Sequence, residues 1–251
     1  IAFTTASFVM PRVSVITCVY NFEDIVLETV HSVLNQTYRD FEFIITDDGY
    51  TDTTVERVQT VCDPRMTLIC AAHSGLPAVA SNVSVDQAVG EYIAITGDDD
   101  VWLPQRLERQ VAFLEANPDV GMVHSGYHLL IDGKTFPADE RNHGIPPGKM
   151  HASAVIRRLM IGNFICTPSV MLRRSCLDLS QSLYNPNPEI CGPEDFDLWL
   201  RLAEAGVSFG YIDEPLVRYR IRPDSVSRNR TRNLNGAIVA LNLALNRSPP
   251  A

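Results

Sequence analysis

No apolar run in this 251-residue sequence is long enough to cross a membrane. No C-x-x-C pair occurs among its cysteines, Cys18, Cys62, Cys70, Cys166, Cys176 and Cys191, so neither a zinc site nor a disulfide frame is indicated. They read as reduced, buried thiols of a cytosolic protein. A basic excess is also missing: the formal net charge is −9, which argues against the dominant basic face that a nucleic-acid binder needs. The sequence has no internal repeat and no low-complexity tract. Ile1–Val9 carries no charge and is too short for a signal peptide. Met10 directly precedes P-R-V-S-V and is the expected natural start, which makes residues 1–10 an N-terminal extension. The expected location is cytoplasmic, either soluble or peripheral at the inner membrane face.

Hydrophobic residues make up 45% of the chain, enough for one large α/β domain or two tightly joined halves. Strand-length apolar runs alternate with helical patterns: Val13–Val19, Phe41–Thr46, Met66–Cys70 and Tyr92–Thr96 are expected strands. Helices are expected from Asp24, with Ile25, Leu27, Val30, Val33 and Leu34 inward; from the Thr51-Asp52-Thr53 cap to Thr60; and from Leu76 to Val89, closed by Gly90. This alternation predicts a single Rossmann-like, mostly parallel central sheet flanked by helices, with a small further subregion. Later elements are a helix over Gln105–Ala116 opened by Pro104, a strand over Val120–Ile131, and a long loop over Asp132–Lys149. Beyond these come a helix over Ala152–Met160, a strand over Ser169–Arg173, and an irregular stretch over Ser180–Pro193. A helix over Phe196–Ala205 stopped by Gly206, two short strands (Val207–Ile212 and Leu216–Tyr219) and a helix over Asn233–Leu245 complete the chain.

The pattern is organised around Tyr92–Trp102, Y-I-A-I-T-G-D-D-D-V-W. Asp98, Asp99 and Asp100 fall where a buried strand leaves the sheet, the end at which open α/β sheets bind ligands. Three adjacent carboxylates repel one another, and an all-oxygen cluster suits Mg²⁺ or Mn²⁺. Asp47-Asp48-Gly49 follows a second strand and Tyr20 a third, so these groups are expected at one edge. His124, His128, His143 and His151 show no metal spacing.

In order along the chain, several segments resemble family 2 glycosyltransferases, which have the GT-A fold. They are P-R-V-S-V-I-T-C-V-Y-N (Pro11–Asn21), S-V-L-N-Q-T-Y (Ser32–Tyr38), D-D-G-Y-T-D (Asp47–Asp52), S-G-L-P-A-V-A-S-N (Ser74–Asn82), G-E-Y-I (Gly90–Ile93), D-D-x-W-x-P (Asp99–Pro104) and E-D-F-D-L-W-L-R-L (Glu194–Leu202). The resemblance covers Pro11 to Ser227. It implies a nucleotide-sugar-binding half at 11–103, an acceptor-binding and catalytic half at 104–223, and a basic tail with a helix at 224–251. It implies inverting transfer from a nucleoside diphosphate sugar, UDP favoured, to a hydroxyl of a glycan, lipid-linked or small-molecule acceptor, with Mn²⁺ or Mg²⁺. By the same resemblance Asp99, with Asp100 adjacent, holds the metal, and Asp98 lies nearer the ribose. Tyr20 stacks on the base, Asp48 meets its edge, Asp47 beside it also binds the nucleotide, and Asn82 lies close to the donor. Asp195 or Glu194 is the catalytic base. Arg222, where relatives often have histidine, cannot bind metal but could contact the diphosphate bidentately. Two other readings remain open at this point: a nucleotide-sugar-binding protein without turnover, and a sugar-1-phosphate nucleotidyltransferase. The second lacks support in Val13–Asn21, which has neither glycine nor lysine.

Overall fold

β-Branched runs bounded by Asn, Asp and Gly build the sheet. The computed structural model describes residues 10–138, 145–223, 225 and 228–247; the expectations for Ile1–Val9, His143, residues 139–144 and Asp224 lie outside them. The strands are β1 (Val13–Val19), β2 (Phe41–Asp47), β3 (Met66–Cys70), β4 (Tyr92–Ile95), β5 (Val101–Trp102), β6 (Val120–Ile131), β7 (Lys134–Pro137), β8 (Gly148–Met150), β9 (Met171–Arg173) and β10 (Ser208–Arg220). The helices are α1 (Val26–Leu34), α2 (Thr54–Gln59), α3 (Pro77–Gln87), α4 (Arg106–Ala116), α5 (Ala152–Leu159), α6 (Ser175–Ser180), α7 (Glu194–Glu204) and α8 (Arg230–Arg247).

The main sheet runs β3-β2-β1-β4-β9-β6-β10-β5, with β7 paired to β6 and β8 to β10. β1 pairs in parallel with β2 and β4, and β2 with β3. β6 and β10 are parallel to each other, while β9 runs antiparallel to β4 and β6 and so joins the two parallel blocks. Side-chain alternation along β1 feeds two cores. Val13, Val15 and Val19 pack with Val30, Val33 and Leu107 beneath α1 and α4. Ile16 packs with the opposite cluster, which holds Leu198, Trp199, Leu202 and Ala240 of α7 and α8. Burial of these side chains, each about 1.5–3 kcal/mol, fixes helices on both faces.

Several expectations need correction. The inward face of α1 uses Val26 and Thr29, whereas Ile25 and Leu27 are only partly buried. Gly90 does not cap α3, which ends at Gln87 with Ala88 as its cap. It is glycine because a Cβ there would meet the Ser14 backbone nitrogen at 2.6 Å. Asp132–Lys149 is not a plain loop. Asp132 and Gly133 (φ 48° and 74°) turn the chain back so that β7 pairs with β6, and β8 follows. The two short strands expected after Gly206 are one strand, β10, with register shifts around Pro215. All six cysteines are free, but only Cys176 is buried; Cys62 and Cys70 are exposed.

Candidate active site

The parallel register sets the site. Val19 lies opposite Asp47, and Ile16 opposite Ile95, so β1, β2 and β4 deliver their following residues to one edge. Tyr20, 37% exposed, stacks on the His73 ring with centroids 4.5 Å apart. The buried Asp47 carboxylate accepts from the Gly49 and Tyr50 amides through Oδ2 (3.0 and 3.2 Å), while its Oδ1 has no hydrogen-bond partner among the described residues. Burial raises its pKa. Asp48 shapes the adjoining loop: Oδ1 accepts from the Ser74 amide and hydroxyl (2.9 and 2.8 Å) and Oδ2 from the Gly75 amide (3.1 Å). His73 Nδ1 lies 3.3 Å from Asp48 Oδ2.

The aspartate triplet is braced from β10. The Arg220 amide donates to Asp100 Oδ1 (2.9 Å), its Nε donates to the Asp99 carbonyl (2.6 Å), and its guanidinium pairs with Glu28. The Thr29 hydroxyl donates to the Asp98 carbonyl. A Cβ at residue 97 would lie 2.3 Å from Asp100 Oδ2, so Gly97 is the residue that lets the triplet fold back on itself. Burial first, and then the charge of Asp99, holds Asp98 and Asp100 well above the ordinary carboxylate range. Arg222 Nε lies 4.0 Å from Asp99 Oδ2, its guanidinium resting over the Phe22 ring.

Among the described residues no three His, Cys, Asp or Glu side chains form a ready-made metal cage. A Mg²⁺ or Mn²⁺ shared with a diphosphate needs only one or two carboxylates. The crowded triplet offers these, and a cation there would relieve the repulsion that raises Asp98 and Asp100. The residues therefore fit a divalent ion.

The second acidic pair opens α7, where carboxylates favour the helix dipole. Glu194 is buried, and its Oε2 accepts from the Gly192 amide (2.5 Å). Asp195 is half-buried: Oδ2 accepts from the Thr167 hydroxyl (2.5 Å) and the Asn163 amide (3.1 Å), and Oδ1 from the Phe196 amide (2.6 Å). Burial raises both carboxyls.

The segment Thr167–Val170 links the two acidic groups: the Ile95 amide, at the end of β4, donates to the Val170 carbonyl (3.0 Å), and the Thr167 hydroxyl donates to Asp195. Burial and then the charges of Asp98, Asp48, Asp47 and Glu194 push the Cys18 thiol upward. Asn82 joins the two sides covalently distant in sequence: its Nδ2 donates to the Tyr184 carbonyl (2.8 Å) and its Oδ1 accepts from the Tyr184 amide (2.9 Å). Asn82→Ala is expected to lower stability by about 2 kcal/mol, two net hydrogen bonds, measured by urea unfolding. An unchanged midpoint would remove this role.

Spacing in the sequence pointed to none of the bracing groups Arg220, Thr167, Asn163 and His73. His124 is buried between Phe164 and Tyr211, where burial lowers its pKa to about 3. His151 caps α5, accepting from the Ser153 amide.

Residues 14–179 match the family described as Glycosyl transferase family 2. The chain is 28% identical over 229 residues to the Escherichia coli UDP-Glc:alpha-D-GlcNAc-diphosphoundecaprenol beta-1,3-glucosyltransferase WfaP, across 90% of this chain and 83% of that protein. TarS 1–349 of S. aureus, solved in complex with UDP-GlcNAc, superposes with a TM-score of 0.73 at 18% identity, over 87% of this chain and 61% of that one. The mannosyltransferase PcManGT from Pyrobaculum calidifontis, solved with GDP-Man and Mn²⁺, superposes with a TM-score of 0.71 at 19% identity, over 97% and 66%. The chain thus spans less than two thirds of these two solved chains, and the likeness is one of fold.

Proposed function

The chain belongs to glycosyl transferase family 2, a glycosyltransferase of GT-A fold that uses nucleotide sugars, and from that premise we propose metal-dependent, inverting transfer from a UDP-sugar to a hydroxyl of a lipid-linked carbohydrate. The observation that carries the reading is the link between the two acidic groups: the Ile95 amide at the end of β4 donates to the Val170 carbonyl, three residues past the Thr167 that donates to Asp195. The names and ligands of WfaP and TarS support the UDP-sugar, and WfaP supports a lipid-linked acceptor. Glycan and small-molecule acceptors are the alternatives.

In this reading the open Tyr20 ring stacks on the base, worth ~1–3 kcal/mol, and Asp48 and Asp47 order the loop at its edge. Asp98 faces the ribose, and Asn82 fixes the Tyr184 segment beside the donor. Asp99, with Asp100, would hold Mn²⁺ or Mg²⁺, and Arg222 beside Asp99 meets the diphosphate. When bound, the metal would neutralise charge developing on the leaving diphosphate. Asp195 takes the acceptor hydroxyl's proton, with Glu194 beside it. Thr167 and Asn163 hold the Asp195 carboxylate in one orientation, and inversion requires that orientation to face the far side of the sugar carbon.

The reading is tested by incubating the protein with UDP-, GDP- and dTDP-sugars and Mn²⁺ while following free nucleoside diphosphate. The expected result is release, fastest with a UDP-sugar and abolished by EDTA. Metal-independent release, or pyrophosphate exchange in its place, would overturn it. The pH profile follows from burial of Asp195. A base works deprotonated, so transfer is expected to fall as pH drops through its raised pKa. The acid limb therefore lies above the ordinary aspartate value of about 3.9. A kcat profile flat down to about pH 4 would contradict the assignment.

A further inference from the structure

Helix α8 has two apolar faces. Gly236, Ala240 and Ala244 are buried on one, and α8 packs there against α7 and the turn at Pro188–Ile190. Leu234, Ile238 and Leu245 form a second stripe at helical spacing, 63%, 49% and 64% exposed. A second exposed apolar tip stands at the end of α5, which also packs on α7: Met160 and Ile161, the latter 88% exposed. Both tips border the Glu194-Asp195 turn. Asn163, two residues past Ile161, donates to Asp195. Arg232, in the first turn of α8, donates to the Cys191 carbonyl, and Gly236 sits so close to Pro193 that a Cβ there would lie 2.8 Å from the proline ring.

The charge of the two segments themselves is one-sided. Neither residues 145–163 nor residues 225–247 contain an Asp or Glu, in a chain of net charge −9. Arg157 flanks one tip, and Arg228 and Arg230 flank the other, all exposed. Glu189 and Glu204 lie on elements that pack against α8, and Glu204 is paired with Arg247. Apolar side chains flanked by arginine on segments that themselves lack acid suit an anionic bilayer surface, where the stripe enters the interface and the guanidinium groups meet headgroup phosphates.

We propose that the outer face of α8 and the Met160–Ile161 tip form a docking surface for an anionic lipid bilayer. Docked there, the protein would bring the Glu194-Asp195 turn, which adjoins both elements, toward the bilayer. The proposal deepens the lipid-linked reading of the acceptor, but its test uses neither donor nor acceptor, so each can fail alone.

The test is flotation with vesicles of phosphatidylcholine alone and of phosphatidylcholine with about 30% phosphatidylglycerol. The protein is expected to float with the anionic vesicles, less so in high salt, and to remain mostly in bulk with the neutral ones. The triple substitution I161S/L234S/I238S is expected to lower binding at least about tenfold. R228Q/R230Q is expected to reduce anionic binding to the neutral-vesicle level. Nucleoside diphosphate release from a soluble donor should stay unchanged in both variants, which shows that they fold. The proposal is overturned by wild-type protein remaining in bulk with both vesicles, or by variants that float as wild type. Self-association lost in the same variants, without flotation, would also overturn it and give the face to a second copy.

Discussion

Asp195→Asn is expected to leave UDP-sugar affinity within about twofold while lowering transfer ~10³-fold, the scale of a lost general base. The substitution keeps shape and the contacts of Oδ2, while the amide nitrogen at Oδ1 gives up the hydrogen bond from the Phe196 amide. An amide oxygen at Oδ2 still accepts from Thr167 and Asn163, so the turn keeps its place while the basic group is lost. Glu194→Gln separates the two candidates. Glu194 Oε2 is engaged with the Gly192 amide inside the turn, so its substitution is expected to slow transfer less than Asp195→Asn does. Single-turnover kinetics alongside donor titration checks both. Transfer unaffected by either change would mean that the base lies elsewhere.

Asp99→Ala is expected to abolish the metal-dependent part of nucleotide binding. Calorimetry with UDP should show wild-type affinity rising at least about tenfold between EDTA and Mn²⁺, and no difference in the variant. Asp99 is the member of the triplet whose backbone, rather than its carboxylate, is braced by Arg220. Asp100 differs, since its Oδ1 accepts the Arg220 amide in a buried setting. Asp100→Ala should therefore lose stability as well as nucleotide affinity. An Mn²⁺ enhancement retained in Asp99→Ala would refute the assignment of the metal to that residue.

Strands with strong β-branched character were legible. Val13–Val19 and Val120–Ile131 end where expected, because turn residues bound them. Elements that owe their existence to a partner were not. β5 has two residues and is a strand only through β10. β7 is exposed throughout and owes its place to pairing with β6. α6 buries only Cys176 and Ser180, too few for a periodic signal. The same division holds at the site. Asp98–Asp100 and Glu194-Asp195 stand out because like charges sit side by side. Arg220, Thr167 and Asn163 look like ordinary polar residues, and only the folded chain brings them to those carboxylates. The buried state expected of the cysteines failed for Cys62 and Cys70, the one just past α2 and the other at the end of edge strand β3.

Strand β10 has a consequence for recombining this chain with its relatives. It begins four residues after α7 ends and closes, at its thirteenth residue, on the arginine that steadies the aspartates. Exchanging everything after residue 103 for a relative's sequence would import a foreign strand end beneath the native triplet. A graft intended to change only acceptor choice must keep the native residue 220, or carry the donor and its partner together.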